Sequence, residues 1–414
     1  MGSGDEVKVA FISQWFDPEV GSAAIPGAIV RSLQARGNEV EVVTGFPNYP
    51  RGRLYDGYRM RPYKRETLRG TTVHRVPLYP SHDGSAARRA LCFLTFMLSA
   101  STLGVWLSRR CAVALVYSTP ATVGMAGVVS RRLFGRPFVL YIQDMWPDTV
   151  TATGMVPGKY SRPVEWLLGF FCRMVYRSAA RIAVISPGMK DLLVGRGVSS
   201  SKVDVIYNWV DEDVFRHVPH TLQSSTFEVM YAGNIGDVQG LEVAVNAMAA
   251  IDANCNAVLR LVGDGVARPR LERLAEDLGV AHRVRFEGSR DVKEMAELMA
   301  SADVQLVSLR DDPLFHITMP SKIQSILACG QALIVCAPGD AARLADECGA
   351  GVAVPAGNAA ALAQAIREMS ALPLDELLEM GARGRRFYEE RLSSAVGARM
   401  LEEALTVALR QGSA

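Results

Sequence analysis

TMPSKIQSILACGQALIVCAP, residues Thr318–Pro338, is the stretch whose reading decides the fold. Pro320, Ser321 and Lys322 stand at a helix start, Gly330 ends the helix after a short run, and ALIVC (Ala332–Cys336) is an unbroken apolar segment that predicts a buried strand. Ile323, Ile326 and Leu327 keep the spacing of one packing face, so the opposite face is expected to be polar and exposed. A Pro-Ser-Lys start gathers unpaired backbone N–H groups, the positive end of the helix dipole and an ammonium, which together suit a phosphate. A Ser N-cap followed by a solvated Lys is the other reading of the same residues.

Working outward, the pattern repeats. Upstream run EVMYAG (Glu228–Gly233), AVLRLVGDG (Ala257–Gly265), RVRFEG (Arg283–Gly288) and DVQLVSL (Asp303–Leu309), each followed by a helical segment, and GVAVP (Gly351–Pro355) follows downstream. Apolar strands separated by helices predict a parallel sheet covered on both faces. YAGNIGDVQG, LVGDG, FEGSR, SLRDDP and the Pro320 turn all fall at the carboxyl edge of that sheet, where such domains bind ligands. An earlier series, from KVAFIS (Lys8–Ser13) to RIAVIS (Arg181–Ser186), predicts a second domain of the same kind. The fold class is therefore α/β, two Rossmann-like doubly wound domains facing a cleft. Expected boundaries are 1–215 and 216–385, with a C-terminal helix over 386–414 returning to the first domain; periodicity lapses in the linker Val205–Ser225.

The 414 residues suffice for two cores, and 45 Lys plus Arg against 43 Asp plus Glu exclude a global field that would attract nucleic acid. Seven cysteines without a C-x-x-C pair predict reduced thiols and no metal site. The start carries no signal-peptide core, and a cytoplasmic location is expected. Ala90–Leu107 is an eighteen-residue run without charge, flanked by Arg88–Arg89 and Arg109–Arg110. It is at the lower limit for a membrane span, but a strand of the first sheet follows at once. A helix that is buried, or that touches the inner face of a membrane peripherally, is expected instead.

FPNYP (Phe46–Pro50), YKRE (Tyr63–Glu66), YIQDMWPD (Tyr141–Asp148), NW (Asn208–Trp209), GNIGDVQGLE (Gly233–Glu242), VGDG (Val262–Gly265) and PSKIQSILACG (Pro320–Gly330) together resemble the family 4 glycosyltransferases of GT-B fold. The likeness is to the bacterial colanic-acid and O-antigen subgroup that transfers fucose-type sugars. The resemblance implies a retaining, metal-independent transferase without cofactor. The acceptor (glycan, lipid-linked or small molecule) would bind the first domain and a nucleotide-diphosphate sugar the second, a UDP-sugar in preference to a GDP-sugar. It implies donor contacts from Gly233, Asn234, Gly263, Asp264, Pro320, Ser321, Lys322 and Ser325. Gly21 and Ser22 stand where the family places a loop close to phosphates and acceptor, a place that glycine suits because it lacks Cβ.

Departures from the family pattern are as informative. Counting back from Ala328–Cys329–Gly330, the family's Glu-x7-Glu pair falls on Ile317 and Ser325, neither of them acidic. The cation of the Gly-rich loop has no counterpart at Val238–Gln239, which leaves Lys322 and Arg310 as the nearest positive groups for a developing diphosphate charge. The usual catalytic-site His is replaced by Gln143, with Asp144 beside it at a strand's carboxyl end, where a carboxylate can orient or deprotonate an acceptor hydroxyl. Capping of the next helix is the competing role for Asp144, and surface placement competes for Arg310. Tyr49, Tyr63 and Arg65 are expected to line an acceptor site. A nucleotide-sugar 2-epimerase or a non-catalytic partner of another transferase are the alternative functions. Few His and Glu in the loops argue against the first; loss of the Glu pair supports the second.

Overall fold

The computed structural model describes residues 7–81, 85–152, 161–220, 226–252 and 254–412, and the chain divides between Tyr207 and Asn208 into two units. The end of the expected linker, 221–225, lies outside the described residues.

The first unit comprises Met1–Tyr207 and Gly397–Ala414. Its strands are β1 (Lys8–Ile12), β2 (Glu39–Gly45), β3 (Lys64–Leu68), β4 (Thr71–Val76), β5 (Val113–Ser118), β6 (Phe138–Ile142), β7 (Arg181–Val184) and β8 (Val203–Val205). They form one sheet in the order β3-β4-β2-β1-β5-β6-β7-β8. β5 and β6 are buried throughout, which is why their residues are continuously apolar. All neighbours pair in parallel except β3 with β4. The all-parallel expectation fails at this edge. Arg69 and Gly70 both adopt positive φ, the two-residue turn that folds a strand back on its neighbour. The apolar run of the sequence is longer than expected as a helix, Ala86–Leu107, and contains a π-type turn over Ala100–Gly104.

The second unit, Asn208–Val396, holds β9 (Phe227–Ala232), β10 (Ala257–Val262), β11 (Val284–Gly288), β12 (Val304–Ser308), β13 (Leu333–Cys336) and β14 (Gly351–Val354). All pair in parallel, in the order β11-β10-β9-β12-β13-β14. The order reverses between β9 and β12, so a crevice is expected beyond their carboxyl ends.

The helix of the opening stretch is Ser321–Cys329, closed by Gly330 at φ 70°. Here the one-face expectation is overturned, because every residue from Ile323 to Cys329 is buried. A second helix, Leu374–Arg391, covers the outer face. It approaches so closely that a Cβ on Gly381 would run into the Gly330 carbonyl, and one on Gly384 into Leu327 and Ala350. The seven cysteines are free thiols.

Candidate functional site

In the second unit, two glycine loops leave adjacent strands and lock together. Gly233 follows β9 at φ 137° and Gly263 follows β10 at φ 136°, conformations closed to other residues. The Gly233 N–H donates to the Val262 carbonyl (2.8 Å) and the Ile235 N–H to the Asp264 carbonyl (2.9 Å). A Cβ on Gly263 would occupy the place of the Gly233 carbonyl. Both glycines are thus fixed by backbone contact.

Lys322 lies over this pair. The space above Gly233 that a side chain would fill is taken by the Lys322 Cε and Nζ. Its Nζ stands 4.1 Å from the Tyr231 ring centroid and donates to the Tyr231 hydroxyl, which itself donates to the Asn234 carbonyl (2.7 Å). Among the described residues no carboxylate pairs with Lys322, and burial pulls its pKa down to about 8. An ammonium held this way is poised for an incoming anion.

Arg310 is the second cation at this crevice. It follows β12, its N–H donates to the Val238 carbonyl (3.0 Å), and its side-chain stem fills the space left by Gly240. The guanidinium is exposed and makes no ion pair among the described residues.

The other donor-side residues take lesser places. Pro320 precedes the helix and Ser321 is its first residue, with no side-chain cap, so the Ser N-cap reading is overturned. Ser325 is buried and its hydroxyl donates to the Ser321 carbonyl (3.3 Å), within its own helix. Asn234 is exposed, and the Asp264 carboxylate accepts from the Gly265 N–H (2.8 Å), shaping its own turn. Asp311 and His316 pair with each other at 3.0 Å.

In the first unit, Asp144 follows β6 and accepts from Thr119 Oγ1 at 3.3 Å, from the end of β5. Burial pushes its carboxyl above the ordinary value, with the Thr119 hydrogen bond opposing. Capping is not its work: Asp148 opens the next helix and pairs with Arg196 at 2.5 Å.

Gly21 begins a short 3-10 turn, Gly21–Ala24, at φ 67°, and Ser22 lies in the same turn. Tyr49 sits beside that loop, its ring 5.4 Å from Trp15 and its N–H donating to Glu19 Oε1 (2.8 Å). Tyr63 instead bonds His74 Nδ1 at 3.0 Å, and Arg65 is exposed on the edge strand β3.

Two residues escaped sequence reasoning. Tyr231 lay inside an apolar strand and read as core; its hydroxyl, which must find partners when buried, was the available signal. Arg75, fully buried, binds Glu66 (2.7 Å), the Gly45 carbonyl (2.9 Å) and the Asp17 carbonyl. Glu19 is its counterpart, accepting the N–H groups of Phe16 (3.0 Å), Asn48 (2.7 Å) and Tyr49.

Comparison with known proteins matches residues 20–209 to the glycosyl transferase 4-like domain and residues 226–371 to the glycosyl transferases group 1 domain. The chain is 28% identical over 335 residues to the putative colanic acid biosynthesis glycosyl transferase WcaI of Escherichia coli K12, covering 78% of this chain and 81% of WcaI. It is 27% identical over 282 residues to the probable glycosyltransferase WbjE of Pseudomonas aeruginosa, covering 65% and 69%. In fold it is similar to Anabaena HepE in complex with UDP-glucose, with a TM-score of 0.68 at 15% identity, over 97% of this chain and all of the other.

Proposed function

Because the chain belongs to the family 4 glycosyltransferases of GT-B fold, we propose that it is a retaining transferase that moves a sugar from a UDP-sugar to an acceptor in cell-surface polysaccharide synthesis at the cytoplasmic side of the membrane. The observation that carries the donor assignment is the pair of uncompensated cations, Lys322 and Arg310, at the glycine loops of the second unit. As the bond from the anomeric carbon to the β-phosphate oxygen breaks, charge builds on the leaving diphosphate. The Lys322 ammonium and the N–H groups of its helix start stabilise that charge more in the transition state than in the bound donor. No metal ion is invoked for this step. Asp144 serves the acceptor: its carboxylate takes the hydroxyl proton as the hydroxyl oxygen bonds the anomeric carbon that the diphosphate leaves, and a carboxyl raised by burial is a stronger base when ionised. The UDP-glucose complex of HepE and the colanic-acid role in the WcaI name support the donor class and the pathway class respectively.

Calorimetric titration with UDP, GDP and UDP-sugars tests the donor reading. UDP is expected to bind the parent, and Lys322→Met to weaken it about ten- to a hundredfold, the worth of one charge-assisted contact. Binding of GDP alone, or equal UDP binding by the variant, would refute it. Proton NMR of the first-formed product decides retention against inversion.

A further inference from the structure

From Gly84 through Gln143 the chain contains no Asp or Glu but seven arginines, although its overall formal charge is only +2. This stretch supplies two of three neighbouring helices of the first unit, Ala86–Leu107, Gly124–Phe134 and Ser161–Ser178; the middle one packs against both others. Glu165 is the one acidic residue in the three.

Helices laid on a sheet ordinarily turn polar residues outward. Here the outward stripe of the first helix is Leu94, Leu98, Thr102 and Trp106, with Leu98 65% exposed. The middle helix ends in Leu133, 69% exposed, and Phe134. The third presents Trp166, 68% exposed, stacked on Phe170 at 6.2 Å, with Leu167 between them. An apolar groove of about 540 Å³ runs between the first two, floored by Met97, Val105, Met125 and Val129. Arginines edge the apolar residues: Arg109 stacks 4.2 Å over Trp106, and Arg131, Arg132, Arg162 and Arg173 are exposed on the other helices.

We propose that this three-helix layer docks on the surface of an anionic phospholipid bilayer. Leu, Phe and Trp side chains enter the headgroup boundary and the arginines bind lipid phosphates. Charge complementarity selects this occupant, since the face is apolar and cationic together and has a single carboxylate. The layer lies on the bilayer and does not cross it. The first helix is long and apolar enough to span, but Cys92, Phe96, Ala100 and Gly104 are buried, and a Cβ on Gly104 would strike Val43 of β2. The strands on either side of it, β4 and β5, also belong to one sheet.

Sedimentation with vesicles tests this. The protein is expected to bind vesicles of equal phosphatidylglycerol and phosphatidylcholine, to ignore pure phosphatidylcholine, and to release in high salt or alkaline carbonate. Arg109→Gln with Arg110→Gln should weaken binding about thirtyfold, and Leu98→Ser with Trp166→Ser at least about tenfold. Brominated lipid should quench tryptophan fluorescence in the parent, and less in Trp106→Phe with Trp166→Phe. The substituted residues are exposed, so circular dichroism and the thermal midpoint serve to show each variant folded. Equal binding to phosphatidylcholine, absence of binding, or retention through carbonate overturns the proposal. So does an oligomer that Leu98→Ser dissociates, which would make a second copy the occupant.

Discussion

The loops at the carboxyl ends of the two sheets differ in how their charges are met. In the first unit, Arg75 is surrounded by acceptors and Glu19 by backbone donors, so these two buried charges are answered within the fold. In the second, Lys322 has a tyrosine ring and hydroxyl but no carboxylate, and Arg310 has no ion pair among the described residues. An answered charge stiffens a loop and resists removal. A buried one left unanswered, as at Lys322, leaves the folded protein less stable than it need be and marks a place for a ligand.

Four outcomes would sharpen or break that contrast. Arg75→Ala should cost about 2–4 kcal/mol in urea unfolding, because it strands two buried carbonyls and leaves the Glu66 carboxylate to Lys64 and Tyr58; a loss below about 1 kcal/mol would put Arg75 in the same class as Lys322. Lys322→Met should leave stability unchanged or higher while turnover falls about ten- to a hundredfold, the reverse pattern. Should it destabilise as Arg75→Ala does, Lys322 is structural.

The third outcome is a pH effect. The Lys322 pKa falls from 10.5 to about 8 on folding, so between those values the unfolded chain holds the proton that the folded one has released. Stability contributed at this site therefore rises with pH from about 8 upward. Measured as parent minus Lys322→Met between neutral pH and pH ~10, the gain should be about 2 kcal/mol. Saturating UDP should abolish it, since a bound diphosphate keeps the lysine charged. A flat difference without UDP would show that Lys322 is solvated. Smallest of all, Ser325→Ala should change stability by less than about 0.5 kcal/mol and leave donor affinity unaltered, because the hydroxyl only bonds back within its helix. A tenfold loss of affinity would return Ser325 to the donor site.

The division of legible from illegible follows the range of the interaction. The unbroken apolar runs in KVAFIS and ALIVC reflect burial on both faces of one strand, and Gly330 ends a helix through its own φ, so both were visible locally. The reversed strand β3 was missed because Lys64–Leu68 alternates exposed and half-buried residues at a sheet edge and looks like loop. The full burial of the Ser321 helix was missed because its cover comes from Leu374–Arg391, more than forty residues later, through two glycines whose role only the close approach reveals.

By itself, then, the sequence determined the two alternating series, the glycines at the strand ends and the cation at a helix start, all properties of neighbours along the chain. Only the tertiary structure decided that Lys322 rests on Tyr231, 91 residues earlier, with no counter-ion among the described residues. Only it decided that Arg75 is enclosed by partners from three different segments. Whether a charge is compensated depends on what lies within a few ångströms of it, and that distance is set by the packing of the sheets and their loops.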